Sequence, residues 1–130
     1  MKEFFLLAII SLAVISKASA EEVCSLVNGS VLIAQDAQST YLGKIVSPYQ
    51  SDSIFNEYGV YGNEYNIGSI WSEYGTFGNE YSNYSASNSY TTSPPMIIKN
   101  KQVIGYLSAN KSMRASISPS ILKALCKDKL

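Results

Sequence analysis

Ser53-Ile54-Phe55-Asn56-Glu57-Tyr58-Gly59 recurs with a 16-residue period as Ser69-Ile70-Trp71-Ser72-Glu73-Tyr74-Gly75. The same period carries Tyr61-Gly62-Asn63-Glu64-Tyr65 onto Phe77-Gly78-Asn79-Glu80-Tyr81. Self-similarity at a fixed spacing is typical of equivalent structural units that stack and bury a face against their neighbours. The repeats therefore predict a Tyr/Gly array of stacked units within this chain.

A shorter motif, Asn or Ser followed by any residue and then Tyr, underlies the repeat. Its copies follow one another at steps of 9, 7, 9, 7 and 9 residues, and they end at Tyr49, Tyr58, Tyr65, Tyr74, Tyr81 and Tyr90. They define a repeat block, residues 47–90, whose polar composition is also found in disordered linkers. Aromatic rings at fixed positions carry large apolar area, and Asn and Ser side chains form turns, so we expect ordered short strands and turns.

Glycines recur at equivalent positions of the repeat, which are Gly59, Gly62, Gly75 and Gly78. Glycine at a fixed position indicates either a positive φ or a close approach of two backbone segments. Two copies of a repeat are too few to be stable alone, so the repeat block is expected to pack on the segments that flank it.

Strand-like segments flank the repeat block on both sides. Residues 23–34 predict a β-hairpin around Asn28-Gly29, the dipeptide best suited to a tight hairpin turn. Residues 41–46 predict a strand, and residues 96–98 and 103–107 predict two more after the block. The order Gly43-Lys44-Ile45 then Ser53-Ile54 is matched by Gly105-Tyr106-Leu107 then Ser116-Ile117. This parallel suggests two copies of one strand-rich module with the repeat block between them.

The C-terminal segment predicts a short helix. Ser118 is a suitable N-cap and Pro119 a suitable first helical residue. Apolar residues then fall on one helical face, at Ile121, Leu122, Leu125 and Cys126. The predicted fold class is therefore mainly β, with short strands and hairpins, a 16-residue repeat array and one short C-terminal helix.

Residues 1–20 predict a secretory signal peptide. Lys2 precedes an apolar run over residues 4–15, and Ala18-Ser19-Ala20 forms a small-residue cleavage site. A retained N-terminal anchor is the alternative, although a membrane-spanning helix needs roughly 20 apolar residues. We expect a single β-rich domain over residues 21–130, secreted or periplasmic, with no stable membrane span after cleavage.

Cys24 and Cys126 are the two cysteines of the chain. Two cysteines in an oxidising compartment favour one disulfide. A metal pair and a catalytic thiol are the alternatives, and both lack histidine partners because the chain contains no histidine. The sequence therefore favours a structural disulfide.

The charge of the expected secreted chain is close to balanced but unevenly distributed. The full chain has 10 basic and 10 acidic residues, and removal of Lys2, Lys17 and Glu3 leaves 10 − 2 = 8 and 10 − 1 = 9. Such a chain has no basic field for nucleic acid. No Lys or Arg lies between Lys44 and Lys99, where the acidic residues are Asp52, Glu57, Glu64, Glu73 and Glu80. This acidic stretch is either a solvated surface or a site for a cation or partner.

Catalytic motifs are scarce. Without histidine, the Ser-His-Asp and Cys-His arrangements are excluded. The repeated glutamates could form a glycosidase pair, but a general acid and a base need different environments, whereas these positions repeat equally. No calcium loop or phosphate-binding glycine motif occurs. We expect no enzyme, no cofactor and no metal, with a small hydrolase as a weak alternative.

Aromatic residues of the repeat are the best binding candidates, namely Tyr58, Tyr61, Tyr65, Trp71, Tyr74, Phe77 and Tyr81. Their rings and hydroxyls suit a glycan or an envelope protein as partner. The alternative is that these rings form the core of the array. We therefore expect a structural or binding role, with a carbohydrate or cell-wall binding module as the alternative.

The sequence resembles a group of small secreted bacterial proteins with tandem Ser-Ile-x-Asn-x-Tyr-Gly-x-Tyr-Gly repeats. The matching segments are Ser53-Ile54-Phe55-Asn56-Glu57-Tyr58-Gly59-Val60-Tyr61-Gly62, Tyr41-Leu42-Gly43, Ser93-Pro94-Pro95 and Ile104-Gly105-Tyr106-Leu107-Ser108-Ala109-Asn110. The second copy departs from the pattern at Ser72 and Phe77. The resemblance implies secretion and β-rich order, and no established activity.

Overall fold

The computed structural model describes residues 19–130, in which two short helices accompany five strands. The elements are α1 (Ala20–Val27), β1 (Ser30–Ile33), β2 (Tyr41–Ile45), β3 (Met96–Lys99), β4 (Gln102–Leu107), β5 (Ser116–Ile117) and α2 (Pro119–Cys126). The strands form one sheet in the order β2-β1-β3-β4-β5, antiparallel throughout except for the parallel pair β4 and β5. The predicted β-sheet and C-terminal helix are thus confirmed. No helix within residues 19–130 has the length and apolar character needed to cross a membrane.

The hairpin predicted over residues 23–34 is wrong in its first half, which is the helix α1. Ser19 caps this helix by accepting a backbone hydrogen bond of 3.2 Å from its first turn. Cys24 and Val27 lie three residues apart on its buried side. Gly29, with a φ of +87°, follows the helix end in the left-handed conformation typical of that position. The Asn-Gly pair therefore ends a helix here and does not connect two strands.

The predicted signal peptide lies mostly outside the described residues, which begin at Ser19. Ser19 and Ala20, the last two residues of the predicted signal peptide, are the N-cap and the first residue of α1.

The repeat block consists of consecutive turns, so the short strands expected there are absent. Backbone N–H groups bond to the carbonyl three residues earlier at one position after another through the block. An isolated parallel bridge between Lys44 and Ser53 attaches the block to the free edge of β2. In this bridge Lys44 N–H donates to the Asp52 carbonyl at 2.8 Å, and Ile54 N–H donates to the Lys44 carbonyl at 2.9 Å.

The repeat block contributes to the same core as the sheet and the helices. Ile54, Ile70 and Ala86 occupy equivalent positions of successive repeat units, and all three are fully buried beside Phe55. The remaining core comes from the four longer strands, both helices and Ala34 after β1, through Cys24, Val27, Leu32, Ala34, Leu42, Ile45, Ile97, Leu107, Leu122 and Cys126. As expected, the block packs on the segments that flank it.

The repeated glycines mark close backbone approach and not positive φ. A Cβ at Gly62 would lie 2.0 Å from the Asn56 carbonyl oxygen, and a Cβ at Gly78 would lie 2.1 Å from that of Ser72. These two contacts occupy equivalent positions of successive repeat units. Since no real Cβ approaches so closely, neither position accepts any side chain without movement of the backbone.

The two hairpins that flank the repeat block have the same register. Val31 pairs with Lys44 in the first and Met96 with Tyr106 in the second, and each hairpin contains one register shift. Lys44 then pairs in parallel with Ser53, as Tyr106 does with Ser116. The hairpins meet through β1 and β3, where Leu32 pairs with Ile97. The two counterpart modules are therefore matched in their strand pairing.

Cys24 of α1 and Cys126 of α2 form a disulfide, as predicted, with their Cα atoms 5.3 Å apart. Both residues are buried. The bridge joins the two helices and closes most of the described chain into one loop.

Candidate functional site

The Asn/Ser-x-Tyr motif is a turn made by a side chain. The Asn56 Oδ1 atom accepts the N–H of Tyr58 at 3.0 Å, and Asn63 accepts that of Tyr65 at 2.8 Å. The same bond occurs in the copies that end at Tyr49, Tyr81 and Tyr90. Because the asparagine or serine side chain bonds the backbone two residues on, the chain reverses locally and the tyrosine ring is left outside.

The tyrosines that end this motif project into solvent. Their exposed fractions are 96% at Tyr49, 98% at Tyr58, 87% at Tyr65, 85% at Tyr74, 84% at Tyr81 and 88% at Tyr90. Because aromatic side chains usually bury much of their area, a row of free ring faces requires an explanation other than folding.

The Ser-Ile-x segment forms the same kind of turn, but this turn directs a side chain into the core and not into solvent. Ser53 Oγ accepts the N–H of Phe55 at 3.0 Å and donates to the Val46 carbonyl at 2.8 Å. Ser69 Oγ likewise accepts the N–H of Trp71 at 3.1 Å. Here the middle residue of the turn is a buried isoleucine. Each repeat thus points the isoleucine of its Ser-Ile-x segment inward and the tyrosine that ends its Asn/Ser-x-Tyr motif outward.

Four grooves separate consecutive exposed tyrosines. Groove 1 lies between Tyr49 and Tyr58 and has a volume of about 400 Å³, and groove 2 lies between Tyr58 and Tyr65, with about 380 Å³. Groove 3 lies between Tyr65 and Tyr74, with about 440 Å³, and groove 4 lies between Tyr74 and Tyr81, with about 620 Å³. Since neighbouring grooves share a tyrosine, they form one continuous surface, which we call the tyrosine surface.

Trp71 lines three of the four grooves, namely grooves 2, 3 and 4. Its indole N–H donates to the Ile54 carbonyl at 2.6 Å, which fixes the ring against the preceding repeat unit. The Lys123 ammonium of α2 lies 4.8 Å from the centroid of the ring. The tryptophan therefore forms a rigid shared wall at the centre of the tyrosine surface.

The seven aromatic residues predicted as binding candidates separate into three groups. Tyr58, Tyr65, Tyr74 and Tyr81 are exposed and line the grooves. Trp71 is half-buried between them. Tyr61 and Phe77 are half-buried outside the grooves: Tyr61 meets Tyr41 edge-on with ring centroids 5.2 Å apart, and Phe77 packs against the core.

The groove residues that the sequence-based binding candidates do not include comprise Tyr49, Lys123 and Lys127. Tyr49 belongs to the same motif and could have been included on that ground. Lys123 in α2 and Lys127 directly after it lie far beyond Tyr81 in the chain, and no local pattern indicates that they reach the grooves.

Glutamates line the tyrosine surface beside the tyrosines. Glu57, Glu64, Glu73 and Glu80 are all exposed. Lys127 lies 3.2 Å from Glu57, and within residues 19–130 no ion pair involves the other three. A hydrogen bond with Glu80, together with its charge, raises the pKa of Tyr81. The surface is thus acidic as well as aromatic.

The grooves are lined by aromatic, carboxylate and amide side chains. The fully buried polar side chains of the described chain are serines and one threonine, so no carboxyl group there is shielded from water. Residues 19–130 contain no cluster of three or more His, Cys, Asp or Glu able to hold a metal. Comparison with protein families, curated proteins and solved structures finds no match to this chain.

Proposed function

We propose that this protein is a secreted or periplasmic, non-catalytic binding module that holds an extended glycan along its tyrosine surface. One observation carries the proposal: exposed tyrosines stand in sequence along the repeat block, and consecutive grooves share them. Full burial of these rings would have favoured a purely architectural role.

A glycan fits the chemistry of the walls. The C–H face of a sugar ring packs on the flat face of a tyrosine, and its hydroxyls bond with phenol, amide and carboxylate groups. Each groove provides both kinds of wall, since Glu64 and Asn63 line groove 2 and Glu80 and Asn79 line groove 4. A row of similar grooves suits a polymer of similar units.

Architecture supports the same proposal. The repeat block is proposed to act as a rigid array of 16-residue units, since the contacts of Gly62 and Gly78 recur at that step. A rigid surface binds a polymer with little loss of its own conformational freedom. The disulfide and the predicted signal peptide are consistent with an oxidising compartment outside the cytosol, and so is the resemblance to small secreted bacterial proteins.

The proposal includes the absence of catalysis. A glycosidase needs one carboxyl group in an environment that keeps it protonated and a second that stays ionised. The four groove glutamates are instead all exposed, and each stands beside an exposed tyrosine.

Cosedimentation with insoluble chitin, cellulose and peptidoglycan tests the proposal, with Tyr74→Ala and Tyr90→Ala as matched variants. Both tyrosines are exposed, but Tyr74 lines grooves 3 and 4, whereas Tyr90 lines none of the four grooves. We expect wild type and Tyr90→Ala to bind at least one polymer and Tyr74→Ala to bind it about tenfold more weakly, the effect of losing roughly 1.4 kcal/mol.

Two results would contradict the proposal. The first is that the folded wild type binds none of the three polymers. The second is that Tyr74→Ala and Tyr90→Ala weaken binding equally, since that would place the ligand elsewhere on the chain.

A further inference from the structure

Grooves 1 and 2 already hold ammonium groups that come from the protein itself. In groove 1 the Lys127 ammonium lies 3.2 Å from the Glu57 carboxylate, beside Tyr58. In groove 2 the Lys123 ammonium lies over the Trp71 ring, 4.8 Å from its centroid. Carboxylate and aromatic face are the two groups that stabilise an organic cation in a protein site. Lys123 belongs to α2 and Lys127 follows its last residue, so this helix runs beside this end of the tyrosine surface.

Grooves 3 and 4 have the same kinds of wall but no lysine or arginine among the described residues that line them. Trp71 and Tyr74 line both grooves, and so does Glu73. Glu64 stands at one end and Glu80 at the other, and neither forms an ion pair within residues 19–130. Grooves 3 and 4 therefore lack the ammonium group that grooves 1 and 2 possess.

We infer that grooves 3 and 4 bind the ammonium groups of a glycan that carries free primary amines. The inference rests on the proposed glycan-binding function and specifies its ligand. In this arrangement an amine of the ligand lies beside Glu73 and Trp71, as the Lys123 ammonium lies over Trp71 in groove 2. Charge complementarity favours such a glycan over a neutral one, because the repeat block contains no basic residue to offset its glutamates.

Two oligosaccharides that differ only at nitrogen test the inference. The probes are an N-acetylglucosamine oligomer and the glucosamine oligomer of equal length, whose rings and linkages are the same but whose amines are free. Titration calorimetry with the secreted, disulfide-bonded protein at low salt measures both affinities. We expect the glucosamine oligomer to bind about tenfold more tightly, with the preference falling as salt is added.

A pair of charge variants tests which part of the protein causes the preference for the glucosamine oligomer. Glu73→Gln removes the carboxylate shared by grooves 3 and 4, whereas Glu22→Gln removes a carboxylate of α1 that lines none of the four grooves. Both residues are exposed, so both variants are expected to fold. Glu73→Gln should lose most of the preference for the glucosamine oligomer, and Glu22→Gln should keep it.

The outcomes separate this inference from the proposed function. Equal affinities for the two oligomers would overturn the amine inference and leave glycan binding in place, whereas binding of neither oligomer would overturn both. Equal loss of preference in Glu22→Gln and Glu73→Gln would overturn the assignment to grooves 3 and 4. The third probe is an oligolysine peptide with the same charge as the glucosamine oligomer. If the two bind equally tightly, the protein attracts positive charge alone, and recognition of a glycan is overturned.

Discussion

At the residue scale, one hydrogen-bonding device serves two purposes. Asn56 and Ser53 both bond the backbone N–H two residues on, but Tyr58 is exposed after the first and Ile54 is buried within the second. The residue types predict the turns, because Asn and Ser favour them. They do not predict which tyrosines are exposed, since tyrosine suits a core as well as a surface.

Ser53 and Ser30 are both fully buried, but only Ser53 has hydrogen-bond partners for its hydroxyl. Ser53→Ala leaves a buried carbonyl and a buried N–H without that partner and should lower the free energy of unfolding by about 1–3 kcal/mol. Ser30→Ala removes a hydroxyl without a partner in the described chain and should be neutral or stabilising. Urea unfolding of both variants measures the difference, and an equal loss in the two would contradict this account of the serines.

Tyr41 makes folding sensitive to alkali. Burial first, and then the charge and hydrogen bond of Asp52, raise its pKa from 10.0 to about 12. Because folding favours the neutral phenol, its contribution to stability is complete below pH 10 and is lost as the pH rises towards 12. Urea unfolding at stepwise pH should show this loss in wild type and a smaller one in Tyr41→Phe. An identical pH dependence of the two proteins would disprove the assignment.

At the scale of elements, the residues that mark the start and end of a helix decide whether the sequence predicts that helix. Helix α2 is predicted because Ser118 and Pro119 mark its start, and its Leu122 and Cys126 are buried as expected, although Ile121 is 54% exposed. Helix α1 is missed because Asn28-Gly29 resembles a hairpin turn. Glu21 and Glu22 in the first turn and Gly29 after the last are the helix signals that were present.

Each unit of the repeat block depends on glycine where its own backbone segments touch. Gly78→Ala would place a Cβ 2.1 Å from the Ser72 carbonyl oxygen, so the two backbone segments must separate, and we expect a loss of more than about 2 kcal/mol. Gly68→Ala is the matched control, since its Cβ would meet no heavy atom closer than 4.0 Å. Thermal unfolding compares them: Gly68→Ala should be within about 1 kcal/mol of wild type. Similar stability of the two variants would contradict close backbone contact within the unit.

At the scale of the whole molecule, two matched hairpins frame the repeat block and one disulfide joins the ends. The sequence predicts the disulfide because two cysteines and no histidine leave few alternatives. It also indicates the two matched modules. Gly43 stands before the residue that pairs in parallel with Ser53, and Gly105 stands before the residue that pairs in parallel with Ser116. The placement of α2 along grooves 1 and 2 is not predictable, because it results from packing between segments distant in the chain.

The disulfide should be a main source of stability, because it links cysteines whose sequence separation is 102. In the chain-entropy description a loop of that size stabilises the folded state by up to about 4.7 kcal/mol. The double variant Cys24→Ala/Cys126→Ala should therefore unfold at much lower urea concentration, with glycan affinity kept wherever it remains folded. Unchanged stability would contradict this role, and two reactive thiols in the secreted wild type would contradict the bridge itself.

If a glycan lies along the tyrosine surface, as we propose, Trp71 should report on it directly. It is the one tryptophan of the chain and it lines grooves 2, 3 and 4. Titration with the glucosamine oligomer, followed by tryptophan fluorescence, should give a saturable change in wild type and Tyr90→Ala and a much weaker response in Tyr74→Ala. Unchanged fluorescence at concentrations where calorimetry shows full binding would place the ligand elsewhere and contradict the claim.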